Sequence, residues 1–240
     1  MTIWAIVPAA GIGRRMGSIQ SNSLPKQYAP LLGKPVLEHA LERLLAVTAI
    51  EKLVVVLHPE DRHFKTLAVA DDERVVTARG GGERQQSVLN GLAALVEARE
   101  EDWVLVHDAV RPCVLSADIV RLIDSLMNHP VGGLLGAPLD NTLKLVDEQG
   151  EVAGTADRSR YWHAFTPQLF RFGLLRRALE SGRDSGQSLT DEASAIEALG
   201  ERPRMLASSK HNIKITHADD LALAENLLAL QANTARERHL

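Results

Sequence analysis

Side chains able to do chemistry gather in short loops behind apolar runs. The first loop reads Pro8-Ala9-Ala10-Gly11-Ile12-Gly13-Arg14-Arg15-Met16-Gly17. Met16 stands where a dinucleotide fingerprint needs its third glycine, and no Gly-Lys-Ser/Thr follows, so neither standard nucleotide motif applies. The physical content remains: small residues let backbone approach a ligand, successive N–H groups can cradle phosphate, and Arg14 and Arg15 add charge. Leu24-Pro25-Lys26-Gln27-Tyr28 then adds a lysine on a proline-stiffened turn. The glycines alone fit a tight turn with solvated arginines equally well; two arginines and a lysine together favour a triphosphate site.

Further loops carry other chemistry, each with a plainer reading beside it. Gly80-Gly81-Gly82-Glu83-Arg84-Gln85-Gln86-Ser87 opens a helix, where Glu83 also suits the helix dipole. Asp108 and Arg111, in Val106-His107-Asp108-Ala109-Val110-Arg111-Pro112, put a carboxylate beyond a buried strand or form an ion pair across the turn. Thr142, Lys144, Arg158 and Thr166 suit a solvated ribbon, Thr190 a helix N-cap, and Lys214 an exposed extended segment. His107 and Cys113 read as packing residues, because one cysteine and scattered histidines do not make a nucleophile.

The elements that must position these loops follow from periodicity. Residues 3–7, 53–57, 74–77, 103–107 and 133–137 are short apolar runs of the kind buried on both faces of a parallel sheet. Amphipathic stretches separate them: Leu37, Leu41, Leu44 and Leu45 share a helical face, as do Val88, Leu92, Leu95 and Val96. This alternation predicts an α/β fold with a doubly wound, mostly parallel sheet and one large core. Ligands of such sheets sit beyond the strands' carboxyl ends, which singles out the loops after Val7, Thr77, Val106 and Ala137. From 139 to 161 the alternation breaks into a hairpin around Glu148-Gln149-Gly150, an inserted arm too small to be stable without a docking surface, for which a second copy is the natural candidate. Helices near 173–181, 190–199 and 218–231 and a strand near 204–207 complete the reading, with a frayed end after 233.

Composition bounds the partners. Hydrophobic residues at 45% and charged residues at 24% exclude disorder, collagen-like and disulfide-scaffold classes. A net charge of −4 provides no global field for nucleic acid or an anionic membrane, so an anionic ligand needs a local cluster of cations. A single cysteine excludes an intrachain disulfide and fits a reducing cytosol. No basic leader and no uncharged apolar run of about 18 residues occurs, so the expectation is a cytoplasmic, soluble protein without a membrane partner.

Taken in order, these motifs resemble those of the 2-C-methyl-D-erythritol 4-phosphate cytidylyltransferases of non-mevalonate isoprenoid synthesis. The resemblance rests on PAAGIGRRMG and PKQY, then GGGERQQSV from Gly80, VHDAVRP from Val106, NTLK from Asn141, TADR from Thr155, AFTPQLF from Ala164, TDEA from Thr190 and NIKIT from Asn212. It implies a Rossmann-like nucleotidyltransferase that transfers CMP from CTP to the polyol phosphate, with Mg²⁺ across the triphosphate and a homodimer built through the arm. It also implies site roles. Pro8, Ala9, Ala10, Gly11, Gly13, Gly81, Gly82 and Ser87 would bind the nucleotide, and Arg15 and Lys26 would face the α-phosphate. Asp108, Arg111, Thr142, Arg158, Thr166, Thr190 and Lys214 would bind the acceptor, Arg158 crossing from the partner and acting with Lys214 on the attacking phosphate. The acceptor phosphate is already ionised near neutral pH, so no general base is required. Gly82, Asn141 and His211 replace aspartates usual in the family. A ribitol 5-phosphate cytidylyltransferase shares much of this pattern, and a non-catalytic CTP-binding dimer is the reading from another class. Cations matched to a transition state, Arg15 and Lys26, argue against the latter.

Overall fold

The computed structural model describes residues 1–11 and 24–237. In chain order the strands are β1 (Ile3–Pro8), β2 (Pro30–Leu31), β3 (Lys34–Pro35), β4 (Ile50–Leu57), β5 (Val75–Arg79), β6 (Trp103–Val106), β7 (Gly132–Pro138), β8 (Leu143–Val146), β9 (Val152–Ala156), β10 (Trp162–Arg171) and β11 (Arg204–Ala207). The helices are α1 (Val36–Leu45), α2 (Arg84–Ala94), α3 (Ser116–Leu126), α4 (Phe172–Ser185), α5 (Glu192–Ala198) and α6 (Asp219–Glu237).

Seven strands form the central sheet in the order β11-β7-β10-β6-β1-β4-β5. All adjacent pairs run parallel except those of β10, which is antiparallel to both β6 and β7. The unbroken apolarity of β1 has a simple cause. Ile3, Ala5 and Val7 face a core closed by α1 and α3, while Trp4 and Ile6 face one closed by α2, α4 and α5. Leu37, Leu41 and Leu44 are fully buried beneath α1, each contributing about 1.5–3 kcal/mol relative to exposure. A third cluster packs α6 over Leu31, Val36, Val110 and Cys113, next to the cleft described below. No helix among the described residues is long and apolar enough to cross a membrane.

Several expectations need correction. Strand β10 does not appear in the periodicity, because Thr166-Pro167 interrupts its apolar run and the register with β7 shifts between Ala164 and Gln168. Helix α2 ends at Ala94, so Val96 leaves the apolar face and is exposed. The N-cap of α5 is Asp191 rather than Thr190. Its carboxylate accepts from the Ser194 N–H in a reciprocal capping box that a threonine one residue earlier could not form. Helix α6 continues to Glu237, beyond the expected end. Residues 212–216 belong to no strand and are held irregularly, with Ile215 N–H donating to the Val110 carbonyl.

The hairpin is present. Strands β8 and β9 pair antiparallel as a separate two-stranded sheet. Asp147 closes the turn, accepting from the N–H groups of Gln149 and Glu151, while Gly150 takes φ 84°, a left-handed conformation suited to glycine.

Candidate active site

A cleft of about 630 Å³ opens beyond the carboxyl ends of β1, β4, β5 and β6. Its walls are the 8–11 loop, Lys26 and Gln27, His58, residues 81–84 with Ser87, residues 108–110, and Lys214 with Thr216. The strand ends deliver these groups together, as the sheet topology requires.

The glycine-lined end is set by backbone bonds. Gly80 N–H donates to the Leu57 carbonyl at 2.7 Å, and a Cβ there would lie 2.2 Å from that of Ala10. Only glycine lets the 80–82 loop approach the first loop so closely. Gly82 has open space around it, so no steric demand fixes its identity. The Ser87 hydroxyl accepts from Gly81 N–H and donates to the Glu83 carbonyl, which fixes the loop that it was expected to join. Gln27, buried, donates its amide to the Ala9 carbonyl at 2.8 Å and so ties the turn bearing Lys26 to the end of β1. Gly13 and Arg15 lie outside the described residues.

At the other end Asp108 is buried among three cations. Arg84 reaches its Oδ1 at 3.2 Å, while Arg111 and Lys214 reach Oδ2 at 3.2 and 3.0 Å. Burial pushes the Asp108 carboxyl up, but Arg84, Lys214 and Arg111 together outweigh it and hold the group far below the usual carboxylate range. Arg84 also forks onto Glu192, which is almost wholly buried, with Nη2 at 3.0 Å from Oε2. Burial opposes the Arg84 charge, and the Glu192 and Asp108 carboxylates more than reverse that effect. Three cations against two carboxylates leave the cluster with an excess positive charge facing the cleft.

Beneath Asp108 lies a neutral network. His107 Nε2 is 3.1 Å from the Arg111 carbonyl, which can only accept, so Nε2 carries the proton. Its Nδ1 therefore accepts from the Thr166 hydroxyl, whose oxygen in turn accepts from Asp108 N–H at 3.0 Å. Burial drives the imidazole pKa down to about 4, which keeps this tautomer neutral. His107 is thus a hydrogen-bonded support rather than mere packing. Cys113 does match that description, since it is buried and its thiol is pushed up to about 11. Asn212 donates to the Thr166 carbonyl and accepts Arg111 on its own, locking the 212–214 segment against β10.

The cleft thus gathers Pro8, Ala9, Ala10, Gly11, Lys26, Gly81, Gly82, Ser87, Asp108 and Lys214. Arg111 and Thr166 stand directly behind its wall. Thr190 is exposed outside it, and Thr142 and Arg158 are exposed at the arm. Reasoning from the sequence gave no role to Gln27, His58, Arg84 or Glu192. Arg84 and Glu192 lay inside quoted motifs, but nothing in one dimension pairs them across 108 positions. Among the described residues no three His, Cys, Asp or Glu side chains gather as a metal site.

Comparison with known proteins identifies the family. The family described as 2-C-methyl-D-erythritol 4-phosphate cytidylyltransferase (IspD) matches residues 3–230. The protein of that name from Hahella chejuensis is 48% identical over 227 residues, covering 94% of this chain and 92% of its own. Its namesake from Aeromonas hydrophila is 48% identical over 233 residues, covering 97% and 91%. A crystal structure of a 4-diphosphocytidyl-2C-methyl-D-erythritol synthase superposes with TM-score 0.80 at 38% identity, over 95% of this chain and 98% of that one. The cytidylyltransferase of that family from Francisella tularensis gives TM-score 0.80 at 34% identity, over 95% and 100%. With sequence and fold matching along nearly its whole length, the chain belongs to the 2-C-methyl-D-erythritol 4-phosphate cytidylyltransferase family.

Proposed function

We infer that this chain transfers CMP from CTP to 2-C-methyl-D-erythritol 4-phosphate, releasing pyrophosphate, as a step in isoprenoid precursor synthesis. The family match over residues 3–230 carries this reading. An acceptor phosphate oxygen forms a bond to the α-phosphorus of CTP, and the α–β bridging bond breaks with its electrons leaving on pyrophosphate. The obstacle is charge: two polyanions must meet, and negative charge grows on the non-bridging oxygens.

The residue roles follow that division. The glycine-lined end, from Ala9 and Ala10 to Ser87, takes the nucleotide, with backbone groups available to a flat pyrimidine. Lys26 and Arg15 act on the α-phosphate. Asp108, with Arg111 and Thr166 behind it, binds acceptor hydroxyls, and Lys214 meets the acceptor phosphate. Thr142, Thr190 and Arg158 complete the acceptor site, Arg158 arriving on the arm of a second copy. The exposed Leu145, Val146 and Val152 of that arm support a homodimer. A divalent cation such as Mg²⁺ suits a cleft with few free carboxylates if the triphosphate supplies most of its oxygen ligands. When bound, such a cation would neutralise triphosphate charge. The lone buried Cys113 favours a reducing, cytoplasmic setting.

Pyrophosphate release tests the reading directly. CTP with the methylerythritol phosphate should turn over, while ATP, or ribitol 5-phosphate as acceptor, should be poor. Equal turnover with ATP, or none with the methylerythritol phosphate, refutes it.

A further inference from the structure

Arg84 and Glu192 form the one part of the charged cluster with no role in the reading above. Glu192 is 1% exposed and stands at the first turn of α5, outside the cleft lining. That helix start is clamped from below: Gln168 of β10 donates to the Asp191 carboxylate at 2.8 Å and accepts from Ala193 N–H at 2.8 Å. Glu192 therefore has little freedom. It holds both terminal nitrogens of Arg84, and the same guanidinium reaches Asp108 Oδ1 at 3.2 Å. Asp108 in turn shares Oδ2 between Arg111 and Lys214.

We propose that Glu192 and Arg84 are a positioning pair, fixing the Asp108 carboxylate so that Lys214 stays available to the acceptor phosphate. The geometry gives the reason. A guanidinium free of Glu192 can turn its whole fork onto Asp108, engaging both oxygens and rotating the carboxylate away from its present contacts. Anchored on Glu192, Arg84 engages Oδ1 alone and leaves Oδ2 to Arg111 and Lys214. The Lys214 side chain is 42% exposed, so its ammonium faces the cleft as well as Asp108. The glycine-lined end does not depend on this pair, since Gly80 and Gly81 are held by Leu57 and Ser87.

The inference rests on the assignment of Asp108 and Lys214 to the acceptor, and its test separates the two ideas. Glu192→Gln keeps shape and removes the anchoring charge. Its KM for the methylerythritol phosphate should rise about tenfold or more, the scale of one lost charge-assisted hydrogen bond. Its KM for CTP should stay within about twofold of wild type. Arg84→Lys should not give a wild-type acceptor KM, because a lysine could replace only the Nη2 contacts to Glu192 Oε2 and Asp108 Oδ1 and lacks the second terminal nitrogen through which Glu192 Oε1 fixes the plane of the fork. If Glu192→Gln fails to fold, Arg84→Gln/Glu192→Gln removes both buried charges together and should show the same selective acceptor defect. A joint rise of both KM values, no rise in either, or full function in Arg84→Lys overturns the proposal. Should the wild-type chain make no product, the cytidylyltransfer reading fails first, and the positioning pair is then decided without turnover. Titration of nucleotide-free protein with glycerol 3-phosphate, followed by ³¹P NMR, should show binding to wild type that weakens at least about fivefold in Glu192→Gln. Equal binding, or no binding to wild type, overturns it.

Discussion

Asp108 and Arg158 belong to the same proposed acceptor site, yet the fold treats them oppositely. Asp108 is 6% exposed and answers to groups from α2, the turn after β6, and the segment before α6. Arg158 stands on a short 3-10 turn after β9, exposed, with Leu145, Val146 and Val152 of the same arm also in solvent. Around Asp108 burial makes charge expensive, so Arg84, Arg111, Lys214 and Glu192 are paired and their directions set before a ligand arrives. At the arm Arg158 is exposed, and none of the described residues is seen to restrict it. A side chain there gains a defined direction only from an outside surface, so the cleft is preorganised by the chain's own core, whereas ordering of the arm is left to the proposed dimer.

The largest effects should therefore come from the cleft. Lys26→Ala should lower kcat on the order of 10²–10³-fold, by analogy with the loss of a transition-state donor, while the melting temperature barely moves. Lys26 belongs to a loop turn that lines the cleft, not to the core. Unchanged kcat in a folded variant removes Lys26 from the chemistry and weakens the contrast with the arm.

The same burial predicts a pH effect that the arm cannot produce. His107 is held neutral with a pKa of about 4, below its ordinary value near 6.5. Between those values the unfolded chain binds a proton that the folded chain refuses, so stability is complete above pH 6.5 and falls as pH drops towards 4. The loss should reach on the order of 3 kcal/mol. Asp108, depressed by its cations, adds a further loss at still lower pH. Thermal unfolding from pH 7 to 4.5 should show the decline, and His107→Gln should flatten it. A slope unaltered in that variant assigns the acid sensitivity elsewhere.

What could be read from sequence divides along similar lines. Strand β1 was legible because both of its faces are covered, leaving an apolar run with no polar alternation. The arm was legible because its Asp147 to Glu151 turn carries its own geometry. Strand β10 was not, since Pro167 argues locally against a strand whose neighbours on both sides are supplied by tertiary structure. Among site residues, Arg14, Arg15 and Lys26 beside the glycines favour a triphosphate site by type and spacing. Asp108 was marked by its place beyond a buried strand and given a ligand only by the family pattern, Lys214 acquired meaning only through that pattern, and Glu192 none at all. Their contacts, like that of Gln27 with Ala9, come from distant segments meeting at strand ends, which no local propensity encodes.

A smaller and more specific effect tests whether the arm completes the site of a second copy. Lys26→Ala and Arg158→Ala chains should each be nearly inactive. In a heterodimer of the two, one interface combines an intact Lys26 with an intact Arg158. Re-formed mixtures should regain roughly a quarter of wild-type activity, given statistical pairing and independent sites. No recovery despite verified subunit exchange assigns Arg158 to its own chain's site and dissolves the contrast drawn above.

The smallest effect concerns folding itself. Leu145 is 65% and Val152 60% exposed, so in a single chain their apolar surface contributes little to the folded state. Leu145→Thr and Val152→Thr should each shift unfolding free energy by no more than about 0.5 kcal/mol when measured where the chain is monomeric. If the arm docks on a second copy, those methyl groups are buried there, and the same variants should make activity depend more steeply on protein concentration. The two measurements pull apart what one would confuse. A large loss of monomer stability means that the arm already packs on its own chain, and insensitivity in both means that these residues face solvent throughout. Only the combination of an indifferent monomer and a weakened assembly fits an arm whose order is borrowed from its partner.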